Sequence, residues 1–284
     1  MRIAVASGKG GTGKTTLAVN LALSMTGGVC LADCDVEEPN DHLFIQVPVE
    51  GEEAVHVPVP VVDEASCTAC RRCVDVCEFN ALAMVGDQVL VFEQLCHGCG
   101  GCSRFCPEGA ITERKREIGK VLWGRKENLH FIYGRLNIGE AFAPPVIRDV
   151  QRRIPEAETV IIDSPPGTTC PMVQAVAESD YCILVAENTP FGLHDAKIAV
   201  QAVADLGVPL GVVINRFDTG ASGLEKFLES ENIPVLMRIP FDEEIARLYS
   251  KGIPFVTELT EYRQKLIGLA EQVEGVVSAR RENR

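Results

Sequence analysis

Short apolar runs alternate with longer segments of mixed polarity along most of the chain. Such runs occupy residues 3–6, 29–32, 159–162, 181–186 and 210–214. Uninterrupted apolar runs of about four to eight residues are typical of strands buried on both faces of a parallel sheet. The segments between the runs, such as 193–206, have the length and periodicity of helices. The pattern therefore predicts an α/β fold with a mainly parallel sheet and helices on both faces.

A different pattern begins where prolines interrupt the alternating segment 56–62. Proline is tolerated mainly on edge strands and at strand ends, so we expect an edge strand or an extended connector here. We place a domain boundary near Asp63. A charged run at 113–117 is expected to be a solvated junction, and strands at 120–123 and 129–133 then return the chain to the main domain.

A glycine-rich loop follows the first apolar run and leads directly into the first helical segment. Gly8 and Gly13 are separated by four residues and followed by Lys14 and Thr15, which is the P-loop spacing. Backbone N–H groups and the helix N-terminus would hold phosphates, Lys14 would reach the β- and γ-phosphates, and the Thr15 hydroxyl would bind Mg²⁺. The predicted nucleotide-binding residues of this loop are Gly8, Lys9, Gly10, Gly11, Thr12, Gly13, Lys14, Thr15 and Thr16.

The same loop also fits the dinucleotide fingerprint of three glycines followed, about twenty residues on, by an acidic residue, here Asp33 or Asp35. A dinucleotide loop needs no lysine and threonine at the start of its helix, because backbone groups and the helix dipole hold the pyrophosphate. Lys14 and Thr15 therefore favour a nucleoside triphosphate.

Acidic residues follow two of the buried runs. Asp163 ends the run at 159–162, and an aspartate at the tip of a buried parallel strand is the Walker B arrangement, which holds Mg²⁺ through water. Asp35 follows the run at 29–32, at the sheet edge where the glycine loop is expected. The sequence therefore predicts a Mg²⁺ site formed by Thr15 and Asp163.

Eight of the twelve cysteines lie in two matched runs. The spacing is that of bacterial two-cluster ferredoxins, in which three cysteines of one run and the fourth of the other run bind each [4Fe–4S] cluster. Structural zinc sites usually present two cysteine pairs separated by a longer loop, so zinc is the weaker alternative. The predicted ligand sets are Cys67, Cys70, Cys73 and Cys106 for cluster 1, and Cys96, Cys99, Cys102 and Cys77 for cluster 2.

The repeat defines an inserted domain. We assign residues 63–115 to a small α+β ferredoxin-like domain, and residues 1–62 and 116–284 to a discontinuous nucleotide-binding domain. Because a segment of this length is too small to fold on a hydrophobic core of its own, we expect the clusters to stabilise it. Inserting it costs little if its two ends lie close together.

The loop sequence Lys-Gly-Gly-Thr-Gly-Lys-Thr-Thr resembles the deviant Walker A loop of the MinD/ParA superfamily. This superfamily of P-loop ATPases includes nitrogenase iron protein and Mrp-type proteins. The chain as a whole resembles those members that carry an inserted two-cluster ferredoxin domain, some of which belong to orange-protein complexes. The resemblance implies that Lys9 reaches the nucleotide of a dimer partner and that Asp35 positions the attacking water. It also implies that Gly167 senses the γ-phosphate and that Asn215 recognises adenine.

The resemblance implies a slow, partner-stimulated ATPase with catalytic residues Lys9, Lys14 and Asp35. Its cofactors would be ATP or ADP, Mg²⁺ and two [4Fe–4S] clusters. Three functions are open: nucleotide-controlled electron transfer, assembly or delivery of iron–sulfur clusters, and a MinD-like positioning role with structural clusters. Expected partners are a second copy or a paralogous ATPase, and a redox or iron–sulfur protein. Cys170 is expected to be a buried thiol rather than the ligand of a cluster that bridges a dimer.

The charge and the hydropathy of the chain bear on the classes of partner that it can bind. A net charge of −13 and a pI near 4.9 argue against a nucleic-acid-binding surface. No run of about 18 apolar residues is present, so no membrane span is expected. Because the first strand begins almost at the N-terminus, we expect no signal peptide and a cytoplasmic protein whose cysteines bind metal.

Overall fold

A nine-stranded sheet organises the residues that the computed structural model describes, 1–218 and 223–282. Its strands are β1 (Arg2–Ala6), β2 (Val29–Asp33), β3 (Gly51–Val62), β6 (Ile111–Lys126), β7 (Leu129–Leu136), β8 (Thr159–Asp163), β9 (Tyr181–Glu187), β10 (Leu210–Phe217) and β11 (Val235–Pro240). A separate hairpin consists of β4 (Leu82–Val85) and β5 (Gln88–Val91). The α-helices are α1 (Lys14–Ser24), α2 (Arg72–Asp75), α3 (Gly101–Arg104), α4 (Pro144–Arg152), α5 (Cys170–Val176), α6 (Pro190–Asp205), α7 (Gly223–Ser230), α8 (Glu243–Ser250) and α9 (Thr260–Glu282).

The strand order is β11-β10-β9-β1-β8-β2-β7-β6-β3. The strands from β11 to β7 are all parallel, whereas β6 pairs antiparallel with β7, and β3 pairs antiparallel with β6. The predicted α/β class with a mainly parallel sheet is therefore confirmed. The carboxyl ends of the parallel strands share one edge, called the carboxyl edge below, where ligands bind in open α/β sheets.

Alternate residues of the buried strands belong to two separate hydrophobic cores, one on each face of the sheet. Ile3 and Val5 of β1 pack in the same core as Leu266 of α9. Ala4 of the same strand packs in the other core, which includes Ile147 of α4. Burial on both faces explains why these strands are continuous apolar runs in the sequence.

The edge strand β3 and its neighbour β6 form a ribbon that extends beyond the rest of the sheet. β3 pairs with β6 from Gly51–Trp123 to Val62–Ile111, but β7 pairs with β6 only up to Gly119. Residues 56–62 and 111–118, called the β3–β6 ribbon below, therefore project past the end of β7. Because β7 is parallel to β2, the ribbon leaves the sheet at the carboxyl edge. The prediction of an edge strand at 56–62 is confirmed.

The cysteine-rich segment lies at the tip of this ribbon. It contains α2, α3 and the β4–β5 hairpin, and its two ends meet where the Asp63 N–H donates to the Ala110 carbonyl at 2.8 Å. The charged run at 113–117 is part of strand β6, although we expected a junction there. Its side chains are mostly exposed because this part of β6 lies beyond β7. None of the helices within the described ranges combines the length and the hydropathy needed to cross a membrane.

Candidate nucleotide site and cysteine centres

The glycine loop joins the buried strand β1 to helix α1 at the carboxyl edge. Gly11 and Gly13 have φ angles of 76° and 94°, in the left-handed region that favours glycine. A Cβ atom on Gly13 would lie 2.3 Å from the Asn215 amide nitrogen, and one on Gly8 would lie 2.4 Å from the Asp195 carbonyl oxygen. The loop therefore needs glycine both for its winding and for its close approach to β10 and α6.

One buried carboxylate holds the two key side chains of the loop. Asp163, at the end of β8, accepts hydrogen bonds from Lys14 Nζ at 2.8 Å and from the Thr15 hydroxyl at 2.6 Å. Burial lowers the pKa of Lys14, but the negative charges of Asp163 and Asp35 outweigh this effect and raise it above the ordinary value. Hydroxyl and carboxylate oxygens are ligands that suit Mg²⁺, so Thr15 and Asp163 fit the predicted ion.

Asp33 organises the loop that follows β2. Its buried carboxylate accepts backbone hydrogen bonds from Asp35 at 3.0 Å, Asn40 at 3.1 Å and Asp41 at 3.2 Å. These bonds place Asp35 beside the glycine loop, with its carboxylate 4.0 Å from Lys14 Nζ. Burial raises the pKa of Asp35 to about 6, against the opposing effect of Lys14.

A cluster of three fully buried carboxylates lies behind this loop. Oxygens of Asp33, Asp41 and Asp163 are all within 4.8 Å of one another. Burial, followed by the charges of its neighbours, raises the pKa of Asp41 well above its usual range. Neither carboxylate oxygen of Asp41 receives a hydrogen bond from any of the described residues. Sequence reasoning did not identify Asp41, because an aspartate in a polar loop carries no signal of burial.

A cavity of about 410 Å³ opens in front of the glycine loop, a size typical of small-ligand sites. Lys14 and Asp35 line its polar end, and apolar side chains from β11, α8 and the segment after α8, such as Ile245 and Phe255, line the other. Asn215 also lines this cavity and donates a hydrogen bond from its amide to the Thr12 carbonyl at 2.7 Å. The cavity thus combines a phosphate-binding end with an apolar end suited to a base.

Each predicted cysteine set lines a small cavity of its own. One cavity is lined by Cys67, Cys70, Cys73 and Cys106, and the other by Cys77, Cys96, Cys99 and Cys102. The fold therefore brings three cysteines of one run together with the fourth of the other run. All twelve cysteines are free of disulfide bonds. The assignment of iron ligands stays a prediction.

The two cysteine runs also share their backbone conformation. Left-handed φ angles occur at corresponding positions, at Ala69 and Arg71 in the first run and at Gly98 and Gly100 in the second. Alternating left- and right-handed residues turn successive N–H groups toward one centre, which favours an anionic iron–sulfur site. The Gly98 N–H donates to Cys96 Sγ at 3.4 Å, as hydrogen bonding to a cluster ligand requires. The backbone thus fits the predicted clusters.

A stack of three aromatic rings connects the second run to the nucleotide-binding domain. His97 lies between Phe79 and Phe142, with ring centroids 3.7 Å and 3.9 Å away. Phe142 belongs to the loop between β7 and α4, and Phe79 follows Cys77, the last cysteine of the first run. Sequence reasoning missed this contact.

Cys170, which we expected to be buried, is exposed at the start of α5, so that prediction was wrong.

Residues 3–255 match the model of the CobQ/CobB/MinD/ParA nucleotide-binding domain. The chain belongs to this family. It is 33% identical over 279 residues to an uncharacterised protein of Methanocaldococcus jannaschii, covering 94% of this chain and 96% of that protein. It is also 25% identical over 310 residues to an iron–sulfur cluster carrier protein of Pyrococcus furiosus, covering 96% and 88% of the two chains.

A solved structure shows the same fold. The septum site-determining protein MinD of Pyrococcus horikoshii, complexed with Mg-ADP, aligns with a TM-score of 0.57 and 21% identity. The alignment covers 97% of this chain and 96% of that one. The resemblance inferred from the glycine loop is thus confirmed, and the fold is that of MinD/ParA-type ATPases.

Two more residues of predicted function, Lys9 within the glycine loop and Gly167 after β8, make contacts at this site. The Gly167 N–H donates to the Ser7 carbonyl at 2.9 Å, with a φ angle of 90° that favours glycine. Lys9 Nζ lies 3.0 Å from Glu187 Oε2 at the end of β9. Sequence reasoning missed Glu187, which nothing distinguishes from other polar strand ends until the sheet places β9 next to β1.

Proposed function

We propose that this protein is an ATPase that couples its nucleotide state to electron transfer through two [4Fe–4S] clusters. The observation that carries the proposal is the position of the two cysteine-lined cavities. They lie at the tip of the β3–β6 ribbon, which projects from the same edge of the sheet that holds the nucleotide cavity. The comparisons support the ATPase and a relation to iron–sulfur proteins.

The nucleotide site supplies the groups needed for in-line attack of water on a γ-phosphate. Loop N–H groups and Lys14 would hold the phosphates and stabilise the developing charge. Asp35 is placed to orient the water, and Thr15 and Asp163 would hold Mg²⁺, which neutralises phosphate charge when bound. Lys9 would add a positive charge from the partner protomer, as the family resemblance implies.

A path of contacts, continued by the loop after β7, leads from the nucleotide site to the second cysteine cavity. Val36, next to Asp35, accepts a hydrogen bond from the Leu136 N–H at 2.8 Å. A Cβ atom on Gly134 would lie 2.5 Å from the Val36 side chain, so Val36 packs directly on β7. The loop after β7 carries Phe142, which stacks on His97 beside Cys96. A shift of Val36 on nucleotide binding would therefore be transmitted to this cavity.

A second connection follows the chain itself from Asp35 through residues 41–62, called the connector below. Its strand β3 contacts the second cysteine run, where a Cβ atom on Gly98 would lie 2.9 Å from the Pro58 ring. Both connections end at the predicted cluster 2. This cluster is therefore the one expected to respond to nucleotide.

Cluster delivery is the second candidate, since relatives of about 25% identity are named iron–sulfur cluster carriers. The full set of four cysteines that lines each cavity favours retention instead. Cys73, Cys96 and Cys102 are each at most 9% exposed, whereas one cysteine of each set, Cys70 and Cys99, is exposed. A purely positional role, the third candidate, offers no reason for the contact of Val36 with β7 or for the stacking of Phe142 on His97.

The deciding experiment is a redox titration of the anaerobic protein, followed by EPR, with ATP, with ADP and without nucleotide. Coupling energies are typically about 1–3 kcal/mol, and a tenfold change in equilibrium corresponds to about 59 mV for one electron. We expect the potential of one cluster to move by tens of millivolts with ATP. By reciprocity, reduction should change ATP affinity by the same factor.

A variant without nucleotide binding, Lys14→Ala, is the matched control and should show no ATP-dependent change. Three superimposed curves, together with equal ATP affinity of the oxidised and reduced protein, would contradict electron-transfer coupling and favour delivery.

A further inference from the structure

Lys9 forms an ion pair within its own protomer. Its Nζ lies 3.0 Å from Glu187 Oε2, and the Lys9 side chain is 35% exposed while that of Glu187 is only 10% exposed. Under the proposed function, Lys9 must instead contact the nucleotide of a partner. The lysine cannot make both contacts, so the ion pair has to open before the partner site is complete.

Glu187 has a second cation on its other oxygen. Arg216 Nη1 lies 2.8 Å from Glu187 Oε1, and the Arg216 side chain is 59% exposed. Arg216 has a φ angle of 50°, a left-handed conformation that is costly for arginine, and it follows Asn215, which contacts the glycine loop. The backbone of Arg216 is thus anchored next to the glycine loop, within reach of Glu187.

The second cation makes departure of Lys9 possible. A buried carboxylate that loses its only partner is strongly destabilising, but Glu187 keeps Arg216 when Lys9 leaves. The alternative partner of Lys9, a triphosphate, carries more negative charge than a carboxylate and therefore competes for the ammonium group.

We propose that Glu187 is a positioning residue that retains Lys9 in its own protomer and thereby sets the threshold for nucleotide-dependent dimerisation. Arg216 acts with it, because it compensates Glu187 after Lys9 has moved. This inference rests on the proposed function for the role of Lys9 in a dimer, but the ion pair itself can be tested without dimers.

The first test measures the reactivity of Lys9 in the nucleotide-free holoprotein. Trace acetylation followed by peptide mass spectrometry reports how often the Lys9 amine is released from its partner. We expect Glu187→Gln to accelerate labelling of Lys9 several-fold. Glu225→Gln, which breaks an ion pair with Arg238 on the surface, is the matched control and should leave that rate unchanged. Equal rates in the wild type and Glu187→Gln would overturn the proposal.

The second test measures the dimer dissociation constant by sedimentation at saturating non-hydrolysable ATP analogue. We expect Glu187→Gln to tighten the dimer about three- to tenfold, the size of effect that a partly exposed ion pair can produce. Arg216→Gln should have the opposite effect, because Glu187 then depends on Lys9 alone. In a Lys9→Ala background, Glu187→Gln should change nothing.

The outcomes separate the two levels of inference. A weaker or unchanged dimer in Glu187→Gln would overturn the retention of Lys9 by Glu187. Faster labelling of Lys9 without any nucleotide-dependent dimer, even in the wild type, would uphold the retention of Lys9 and refute the partner role of Lys9 in the proposed function.

Discussion

At the scale of single residues, Asp163 determines the geometry of the nucleotide site. Its two oxygens accept hydrogen bonds from Lys14 and Thr15, so the side chains that should contact phosphate and Mg²⁺ share one buried anchor. Its burial at the end of β8 excludes water, which strengthens each of these interactions. A change at any of the three residues therefore affects the other two.

Lys14→Ala removes the only buried ammonium group within the described part of the site. We expect ATP binding to be lost, because phosphate charge and the Asp163 carboxylate are then left uncompensated. Calorimetry with ATP would measure the loss, and the visible absorption of the clusters should be unchanged. The control is Lys120→Ala, which removes a lysine paired with Glu52 on the ribbon side of the sheet. Normal ATP turnover in Lys14→Ala would place the nucleotide elsewhere.

Asp35→Asn should stabilise the nucleotide-free protein in a pH-dependent way. Folding raises the pKa of Asp35 from 3.8 to about 6, so the folded state binds this proton more tightly, and stability falls as pH rises through that range. At pH 8 the cost is at most about 3 kcal/mol, and asparagine removes it. The gain should be about 1 kcal/mol larger at pH 8 than at pH 5.

Chemical denaturation followed by the fluorescence of Trp123, the single tryptophan, would measure this gain. The control is Asp87→Asn, at an exposed aspartate in the turn between β4 and β5. Equal stability of wild type and Asp35→Asn at both pH values would show that Asp35 carries no burial cost. ATP hydrolysis should be lost in Asp35→Asn, because the asparagine lacks the carboxylate that is expected to orient the attacking water.

At the scale of secondary-structure elements, the sequence predicted the strands that are buried on both faces of the sheet more completely than the others. Strands β1, β2, β8, β9 and β10 were all predicted, because burial on both faces leaves an unbroken apolar run. Only the apolar part of β6 was predicted, since its charged half is held by pairing with β3 rather than by packing. Contacts between distant elements, such as Lys9 with Glu187, depend on strand order, which no local pattern encodes.

The stacked rings at His97 join the loop after β7 to the second cysteine run. No backbone hydrogen bond within the described residues connects these two segments. Phe142→Ala should remove one ring contact, worth about 0.5–1.5 kcal/mol, and so loosen the loop after β7 from the second cysteine run. We expect ATP affinity to be retained and the ATP-dependent shift in cluster potential to become smaller. Redox titration with and without ATP measures this change.

Phe105→Ala is the matched control, because Phe105 lies within the second cysteine run but is 59% exposed and stacks on no ring among the described residues. It should leave the ATP-dependent shift unchanged. If Phe142→Ala behaves like this control, coupling passes through the connector 41–62 rather than through β7.

At the scale of the whole molecule, the two parts of the chain differ in what stabilises them. The nucleotide-binding domain has extensive hydrophobic cores on both faces of its sheet, whereas residues 63–110 bury few apolar side chains. Those buried in this segment are Cys73, Ala81, Leu82, Cys96, Cys102 and Ala110, half of them predicted cluster ligands. The iron sites should therefore supply most of its stability.

Removal of iron by chelation should unfold residues 63–110 and leave the sheet intact. Hydrogen exchange monitored by mass spectrometry would show fast exchange in this segment and unchanged protection in β1, β8 and β9. Calorimetry of the same sample should show that ATP still binds. Persistent protection of residues 63–110 after complete loss of iron would mean that this segment folds without clusters.

The direct pairing of Val62 with Ile111 has a consequence for protein engineering. In an antiparallel pair the two chains lie about 5 Å apart, which is also the span of a two-residue hairpin turn. The ends of β3 and β6 therefore keep the same positions in the sheet whether a short turn or a complete domain joins them. We therefore expect that the cysteine-rich segment can be exchanged for another inserted domain at this position while the sheet remains unchanged.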